Sequence, residues 1–561
     1  MDDSAPPPLS QKEPSREVAA DPTRGLFAGL RIVSLLTLVS RILGMIRDIG
    51  MATLFGNGPI MDSFSVAFKL PNLMRRLLGE GALSTAFLPT YIRDLEQNGR
   101  ESSWRMVTAV LFWLMIFSIL VVAAGEGILI LLSSFGSADS ESHLLYWLSG
   151  LLLPYLVLIC MAAQINATLN ALNHFSLPAL LPTILNLFWM MGIWLIAPFF
   201  PDPHTKITVV CVSILAGGVF QLVLPAWKLF SLGYRPRMAW RSGFSQVQTI
   251  AAIMAPIVVG LSITQLNTLI DSLLAWGMAK PEGVHSAAAD AGLPFWQIFE
   301  SGTASALYFG QRMYQFPLGV FGVALGTVLY PRLSRHAERN DGYLLRQDLL
   351  LGLQLVLSVG LPASMGLFLM AEPLSLLLFQ YGDFDVFDAL QTADMIRYYG
   401  IGVFAFMAVL ILNRGFYAIG DTQTPVRIGV LIVVCNLVLN LVLIWWLKGK
   451  GLALATSVAA IIQTALSTWL IREKIGAFDF SAITRTFLRA SLATVVMSLV
   501  ILMELQMLPP ATQFVYRLMR VLIPVVSSVV IYLLLARMLG LHEIMTLMRS
   551  GKRSVEEQQS S

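Results

Sequence analysis

Arg41, Arg47, Lys69, Arg75 and Arg76 near the start of the chain, and Arg312 far downstream, interrupt stretches that are otherwise apolar. A charged side chain at the centre of a bilayer costs from ~2.5 to more than 10 kcal/mol, so such residues face a wet cavity or a partner. The planar guanidinium matches phosphate oxygens, whereas a lysine acts as a point charge. Arg41, Arg47, Arg75 and Arg312 therefore read as ligands for a phosphate-type anion, with Lys69 as a further charge. Nearby acids offer partial neutralisation. Asp48 shares a helical face with Arg41, and Glu80 lies one turn beyond Arg76, on the face that Arg76 shares with Lys69. Pro71 interrupts the helix between Lys69 and Asn72 and frees carbonyls there.

A second set consists of oxygen donors. Asp271, the i,i+4 pair Asn436 and Asn440, and Thr456 lie on three later apolar stretches. Their hard oxygens suit Na+ or a proton relay, although Asn and Thr also tie membrane helices together. An enzyme reading finds little to rest on: the six histidines are dispersed, and no phosphate loop, nucleophile triad or metal spacing appears. Asp383, Asp385 and Asp388 read as a solvated exterior loop. Cys160, Cys211 and Cys435 fall in apolar stretches as small hydrophobes, implying neither disulfide nor metal.

The elements that must position these residues are membrane helices. The 561-residue chain is 56% apolar and 13% charged, with mean hydropathy +0.71, outside the range of soluble domains. Apolar runs long enough to cross a bilayer number fourteen: 27–48, 62–92, 105–133, 144–171, 176–199, 206–230, 247–279, 300–332, 348–380, 391–418, 426–447, 451–472, 484–506 and 514–540. Such Leu-rich runs satisfy their own backbone as helices, so the expected class is an all-α polytopic membrane protein. Lys and Arg crowd the loops after even-numbered spans, as at Arg235 to Arg241 and Arg332 to Arg346, which places both termini in the cytoplasm. The net charge of +4 reflects this bias and gives no argument for nucleic acid.

Two echoes divide the chain. Ala82–Pro89 resembles Ala324–Pro331, and Ala171–Pro178 resembles Ala418–Pro425, with Asn186 and Asn436 following. Weaker matches pair Asp48 with Asp271 and Gln221 with Gln463. Each pairs span n with span n+6, which gives two six-helix lobes in parallel and two extra C-terminal helices. The expected division is a disordered cytoplasmic tail at 1–24, an N-lobe at 25–232, a linker at 233–246, a C-lobe at 247–475, helices 13 and 14 at 476–541 and a second tail at 542–561.

Ser40–Asp48, Asp62–Ala67, Lys69–Arg76 and Gly79–Ala82 resemble the MurJ (MviN) family of lipid II flippases. Gln311–Pro317, Gly322–Thr327, Phe379–Gly382 and Phe416–Pro425 extend the resemblance over about 25–540. It implies the multidrug/oligosaccharidyl-lipid/polysaccharide exporter fold, with the two lobes in a V and helices 13 and 14 forming a lipid-tail groove. It implies cavity cations at Arg41, Arg47, Arg75 and Arg312, a functional Asp62, and a Na+ site at Asp271, Asn436, Asn440 and Thr456. Arg76, Glu80, Asp48 and Asn72 stand as supporting residues. Gln311 and Gln315 occupy positions where relatives can carry acids, and the exterior segment 281–299 is longer.

The expected activity is transport: flipping of undecaprenyl-diphosphate-linked muropeptide, lipid II, to the outer leaflet of a bacterial inner membrane. A monomer is expected, with membrane lipids and cell-wall synthesis proteins as neighbours, no cofactor, and coupling to Na+ or the membrane potential. The alternatives are a flippase for another diphosphate-linked glycan, a drug exporter, a polytopic glycosyltransferase and a scaffold.

Overall fold

The computed structural model describes residues 22–75, 77, 83–135, 140–236, 244–281, 293–477, 479–541 and 543. Arg76, Glu80, most of segment 281–299 and nearly all of both tails lie outside the described residues. The regular secondary structure among the described residues is all helical, apart from one isolated bridge between Ala279 and Phe299.

The first part of the chain folds as α1 (Pro22–Phe55), α2 (Pro59–Met74), α3 (Leu83–Phe135), α4 (Ser140–Leu152), α5 (Tyr155–Ala171), α6 (Ser176–Met191) and α7 (Pro203–Ser231). Gly56, in the left-handed region at φ 59°, ends α1, and Pro59 starts α2 where its missing N–H has no partner to lose. α3 is two helices joined at Gly99, whose φ of 78° and ψ of 178° break the hydrogen-bond ladder. Pro154 separates α4 from α5.

The second part begins with α8 (Phe244–Gly277) and continues as α9 (Thr303–Pro317), α10 (Val323–Glu338), α11 (Gly342–Phe379), α12 (Val386–Gly400), α13 (Val403–Ala418), α14 (Gln423–Leu447) and α15 (Gly449–Ile475). A π-helical turn, Leu318–Gly322, joins α9 to α10 directly after Pro317. The chain then adds α16 (Phe480–Met507) and α17 (Phe514–Met538).

Among the described residues, ten helical stretches are long and apolar enough to cross a membrane, or eleven if α12 and α13, bent by 45° to one another, form one span. α1, α2 and α8 are not among these stretches. Two of them carry the charge: Arg41, Arg47 and Asp48 on α1, and Asp62 and Lys69 on α2.

Packing sorts the helices into two lobes. α1 packs on α6, α2 on α4, and α5 on both α3 and α7; in the other lobe α14 packs on α15 and α8, α11 on α12 and α13, and α9 on α12. α16 and α17 pack on each other and on α11, where Tyr532 donates to the Ser358 carbonyl at 2.5 Å. The lobes meet where α8 touches α3 and α2 and where α2 touches α9. One buried cluster runs through both, with Phe64, Phe68 and Trp189 on one side and Phe309, Phe379 and Phe384 on the other. Large apolar side chains such as Phe199, Trp446 and Met538 point outward, as a lipid-facing surface requires.

Helix contacts in lipid depend on small residues that let backbones approach. A β-carbon on Gly218 would fall 2.7 Å from the Tyr155 ring, where α7 meets α5. Gly218→Val should therefore cost about 1–3 kcal/mol by overpacking, read as a lower unfolding midpoint in detergent.

Candidate functional site

Between the lobes lies a cavity of about 830 Å3, lined by α1, α2, α5, α6, α7 and the α9–α10 junction. Its walls hold four arginines, Arg41, Arg47, Arg75 and Arg312, and one carboxylate, Asp48. A side pocket of about 220 Å3 shares Phe68, Asn72, Arg312, Tyr314 and Gln315 with it and adds Lys69, Gln265, Thr268 and Gln311. The four arginines singled out by sequence are thus brought to one cavity from both lobes, with no further acid among its described lining residues.

The four arginines are not equivalent. Arg47 is buried and its donors are used: Nε and Nη2 reach Asp48 Oδ1 at 3.0 and 2.7 Å, and Nη1 reaches Asn186 Oδ1 at 3.0 Å. Its guanidinium also lies 4.1 Å over the Trp189 ring. Asn186 donates in turn to the Ser40 carbonyl at 2.9 Å and so ties α6 to α1. Arg312 approaches Asp48 Oδ2 at 3.1 Å and donates to the Tyr308 hydroxyl, which donates to Asp48 Oδ1 at 2.9 Å. The expectation that Asp48 neutralises Arg41 is corrected: its oxygens serve Arg47, Arg312 and Tyr308.

Arg41 makes no hydrogen bond or ion pair among the described residues; its guanidinium lies over Gly319 of the other lobe, where a β-carbon would collide with it. Arg75 is half-buried at the end of α2, and its Nε donates to Asn72 Oδ1 at 3.2 Å. Arg41 is exposed at the cavity and Arg75 and Arg312 are half-buried in its lining, whereas Arg47 is buried in the wall behind them.

Asp62 lines neither pocket. It is buried where α2 meets α9, accepting from the backbone N–H of Gly302 at 2.9 Å and of Ser305 at 2.6 Å, and from the Ser305 hydroxyl at 2.8 Å. It caps the α9 N-terminus from the opposite lobe, the place where a helix favours negative charge. Beside it the Asp383 N–H donates to the Thr53 carbonyl at the end of α1, and the Asn57 N–H donates to Asp388 Oδ2 at 2.9 Å. The Asn57 side chain reaches Thr392 Oγ1 at 3.1 Å. Asp388 is buried in this contact and closes the first turn of α12 with Asp385, which corrects its reading as part of a solvated loop, whereas Asp383 and Asp385 are exposed as expected. These contacts join the lobes beyond the Asp48 end of the cavity. At its other end the cavity is lined by Val33, Thr37, Asn170 and Phe175.

The oxygen donors also converge. Asp271, 1% exposed, accepts from Asn440 Nδ2 at 2.6 Å and from Thr456 Oγ1 at 3.0 Å, and the Asn436 and Asn440 amides are 3.0 Å apart. Asn267, one turn before Asp271 and not singled out by sequence, has its Oδ1 2.7 Å from the Asn436 amide. The set fits a small monovalent cation: every donor is a hard oxygen, only one is charged, and the buried Asn440 Oδ1 has no partner. Other signals were beyond sequence because they depend on distant partners: Asn57 with Asp388, Arg47 with Trp189, and Tyr308 with Asp48.

Two helical lobes flanking a cationic cavity, within a shell of lipid-facing helices, define a membrane transporter. A model of the lipid II flippase MurJ family matches residues 51–526, and the chain belongs to that family. A probable lipid II flippase MurJ of Vibrio cholerae is 33% identical over 451 residues, covering 78% of this chain and 81% of that protein. The lipid II flippase MurJ of Burkholderia cenocepacia is 31% identical over 462 residues, covering 80% and 84%. Among solved structures, a lipid II flippase MurJ in an inward closed conformation matches with a TM-score of 0.74 at 22% identity, over 91% of this chain and 99% of that one. An inward-facing multidrug MATE transporter of the MOP superfamily matches at 0.62 and 12% identity, over 81% and 99%.

Removing the shared carboxylate tests the site's construction. Asp48→Asn leaves the buried Arg47 without its counter-charge, and breaking such a pair should cost about 3 kcal/mol or more, measured as loss of thermal stability in detergent. An unchanged midpoint would contradict the assignment.

Proposed function

We propose that this chain carries lipid II from the cytoplasmic to the outer leaflet of the bacterial inner membrane, acting as a monomer with both termini inside. Four arginines against one carboxylate in a cavity shared by two lobes carry the reading. Arg41, Arg75 and Arg312 bind the diphosphate, Arg47 and Asn186 hold Asp48 in place, and the side pocket receives part of the polar head. The polyprenyl tail stays in lipid or along α16 and α17. The fourteen expected crossings set this topology, and the end of the cavity at Val33, Thr37, Asn170 and Phe175 then opens to the cytoplasm.

The closed end faces outward and is held by Asp62 on the α9 N-terminus, Asp383 on the α1 C-terminus and Asn57 on Asp388. Transport requires these contacts to break while equivalent closure forms on the inner side. A diphosphate that engages Arg312 competes with Asp48 for the same cation, so cargo weakens one tie between the lobes. Such differential binding is what lets a ligand shift a conformational equilibrium. An inside-negative potential adds ~2.3 kcal/mol per charge per 100 mV to outward movement of an anion. Asp271, Asn436, Asn440 and Thr456 would hold Na+, which when bound neutralises Asp271 and ties α8 to α14 and α15.

Two measurements test this. In cells depleted of the native protein, Arg41→Ala and Arg75→Ala should each lower the lipid II reaching the outer leaflet by about tenfold or more at equal membrane abundance, the worth of one charge-assisted bond. Wild-type sidedness in both would sink the reading. Asp62→Asn, which loses the charged cap of α9, should raise labelling from the outer face of cysteines introduced into the cavity wall, because the outward lock is weakened.

A further inference from the structure

Lys69 stands between the cavity and the Asp271 cluster. It reaches from α2 of one lobe to α8 of the other, where its ammonium donates to the Thr268 carbonyl at 3.2 Å and to the Ser272 hydroxyl. Ser272 follows Asp271 directly, and Lys69 is near enough for its charge to act on that carboxylate. The same side chain lines the side pocket together with Arg312, Asn72 and Gln315, three residues that also line the main cavity. One ammonium therefore faces both the side pocket and the acid of the oxygen cluster.

The two lobes supply a comparison. In the sequence echo Asp48 matches Asp271 and Asn186 matches Asn436. In the first lobe Arg47 fills the space between its acid and its amide, bonded to Asp48 and Asn186. The residue before Asp271 is Ile270, so the second lobe has no cation built in at that position. Its carboxylate is approached by a cation borrowed from α2.

We propose that Lys69 is the coupling residue between cargo and cation. Docked on α8, its ammonium opposes a monovalent cation at Asp271 by like-charge repulsion in a poorly screened site. A diphosphate group in the side pocket draws the ammonium off Thr268 and Ser272 and relieves that opposition. Anion and cation then bind with positive cooperativity, and by linkage each raises the affinity of the other by the same factor. The inference rests on the cation reading of the Asp271 cluster given above.

The test uses the purified full-length chain in detergent, with NaCl replacing choline chloride at constant ionic strength, and reads the unfolding midpoint against Na+ concentration. Lys69→Met should lower the half-saturating Na+ concentration about tenfold, an ordinary magnitude for coupled sites. Ser272→Ala, which removes one hydrogen bond from the ammonium and leaves the helix intact, should act in the same direction by a smaller factor and decides the matter if Lys69→Met does not survive purification. Saturating undecaprenyl diphosphate should tighten Na+ in the wild type and leave Lys69→Met unmoved. Asp271→Asn should abolish the Na+ response. No Na+ response in the wild type, or one that survives Asp271→Asn, overturns the cation site and the coupling with it. A response lost in Asp271→Asn but not tightened by Lys69→Met or Ser272→Ala overturns the coupling alone, and Lys69 is then a tether between lobes.

Discussion

A single carboxylate, Asp48, sets the terms for the rest of the cavity. It is 2% exposed, and its two oxygens are divided between Arg47 of its own lobe and Arg312 and Tyr308 of the other. An unpaired charge at this depth would be expensive, so the acid needs its arginines and the arginines need the acid. The sharing is unequal. Arg47 is held on three sides by Asp48, Asn186 and Trp189, whereas the Arg312 side chain keeps 25% of its surface exposed. Half of the arrangement is scaffold and half is available to an anion that arrives from the cavity.

The closed end uses a different kind of bond. Helix termini carry unsatisfied N–H and C=O groups, and each lobe here satisfies termini of the other. Asp62 receives the N–H groups that open α9, and Asp383 gives its N–H to the carbonyl that Thr53 leaves at the end of α1. Gly382, at φ 60°, brings that loop against Thr53 more closely than any side chain would permit. Such contacts are suited to a gate because water can take over the same groups when the lobes separate. A seal of interdigitated aromatic rings would expose apolar area on opening and would resist it more.

The helical class and the location of the cationic cavity were legible because charge in an apolar stretch is conspicuous, and Arg41, Arg75 and Arg312 do line one cavity. The assignment of partners was not. Spacing of seven along a helix pointed Asp48 at Arg41, yet the adjacent Arg47 takes it, since a long side chain can fold back once Asn186, 139 residues away, fixes its other nitrogen. Asp62 carried no mark of its role, because its partners lie some 240 residues downstream and two of them are backbone groups. Asp388 looked solvated because sequence cannot show that Asn57 covers it. The weak echoes were more informative than their similarity suggested: Asp48 with Asn186, and Asp271 with Asn436, gather into one cluster in each lobe.

That duplication explains how two related lobes come to do different work. Each buries an acid beside an amide, and each acid must be compensated. The first lobe does so internally with Arg47, which makes its cluster a fixed part of the wall. The second has Ile270 in the matching position, so the charge of Asp271 is met by neutral donors, by Lys69 from across the interface, or by a cation from solution. An acid compensated from outside its own lobe is sensitive to how the lobes sit, because moving α2 relative to α8 moves Lys69. The asymmetry therefore converts an inherited repeat into a transporter with one rigid cluster and one that can report on, and respond to, the state of the interface.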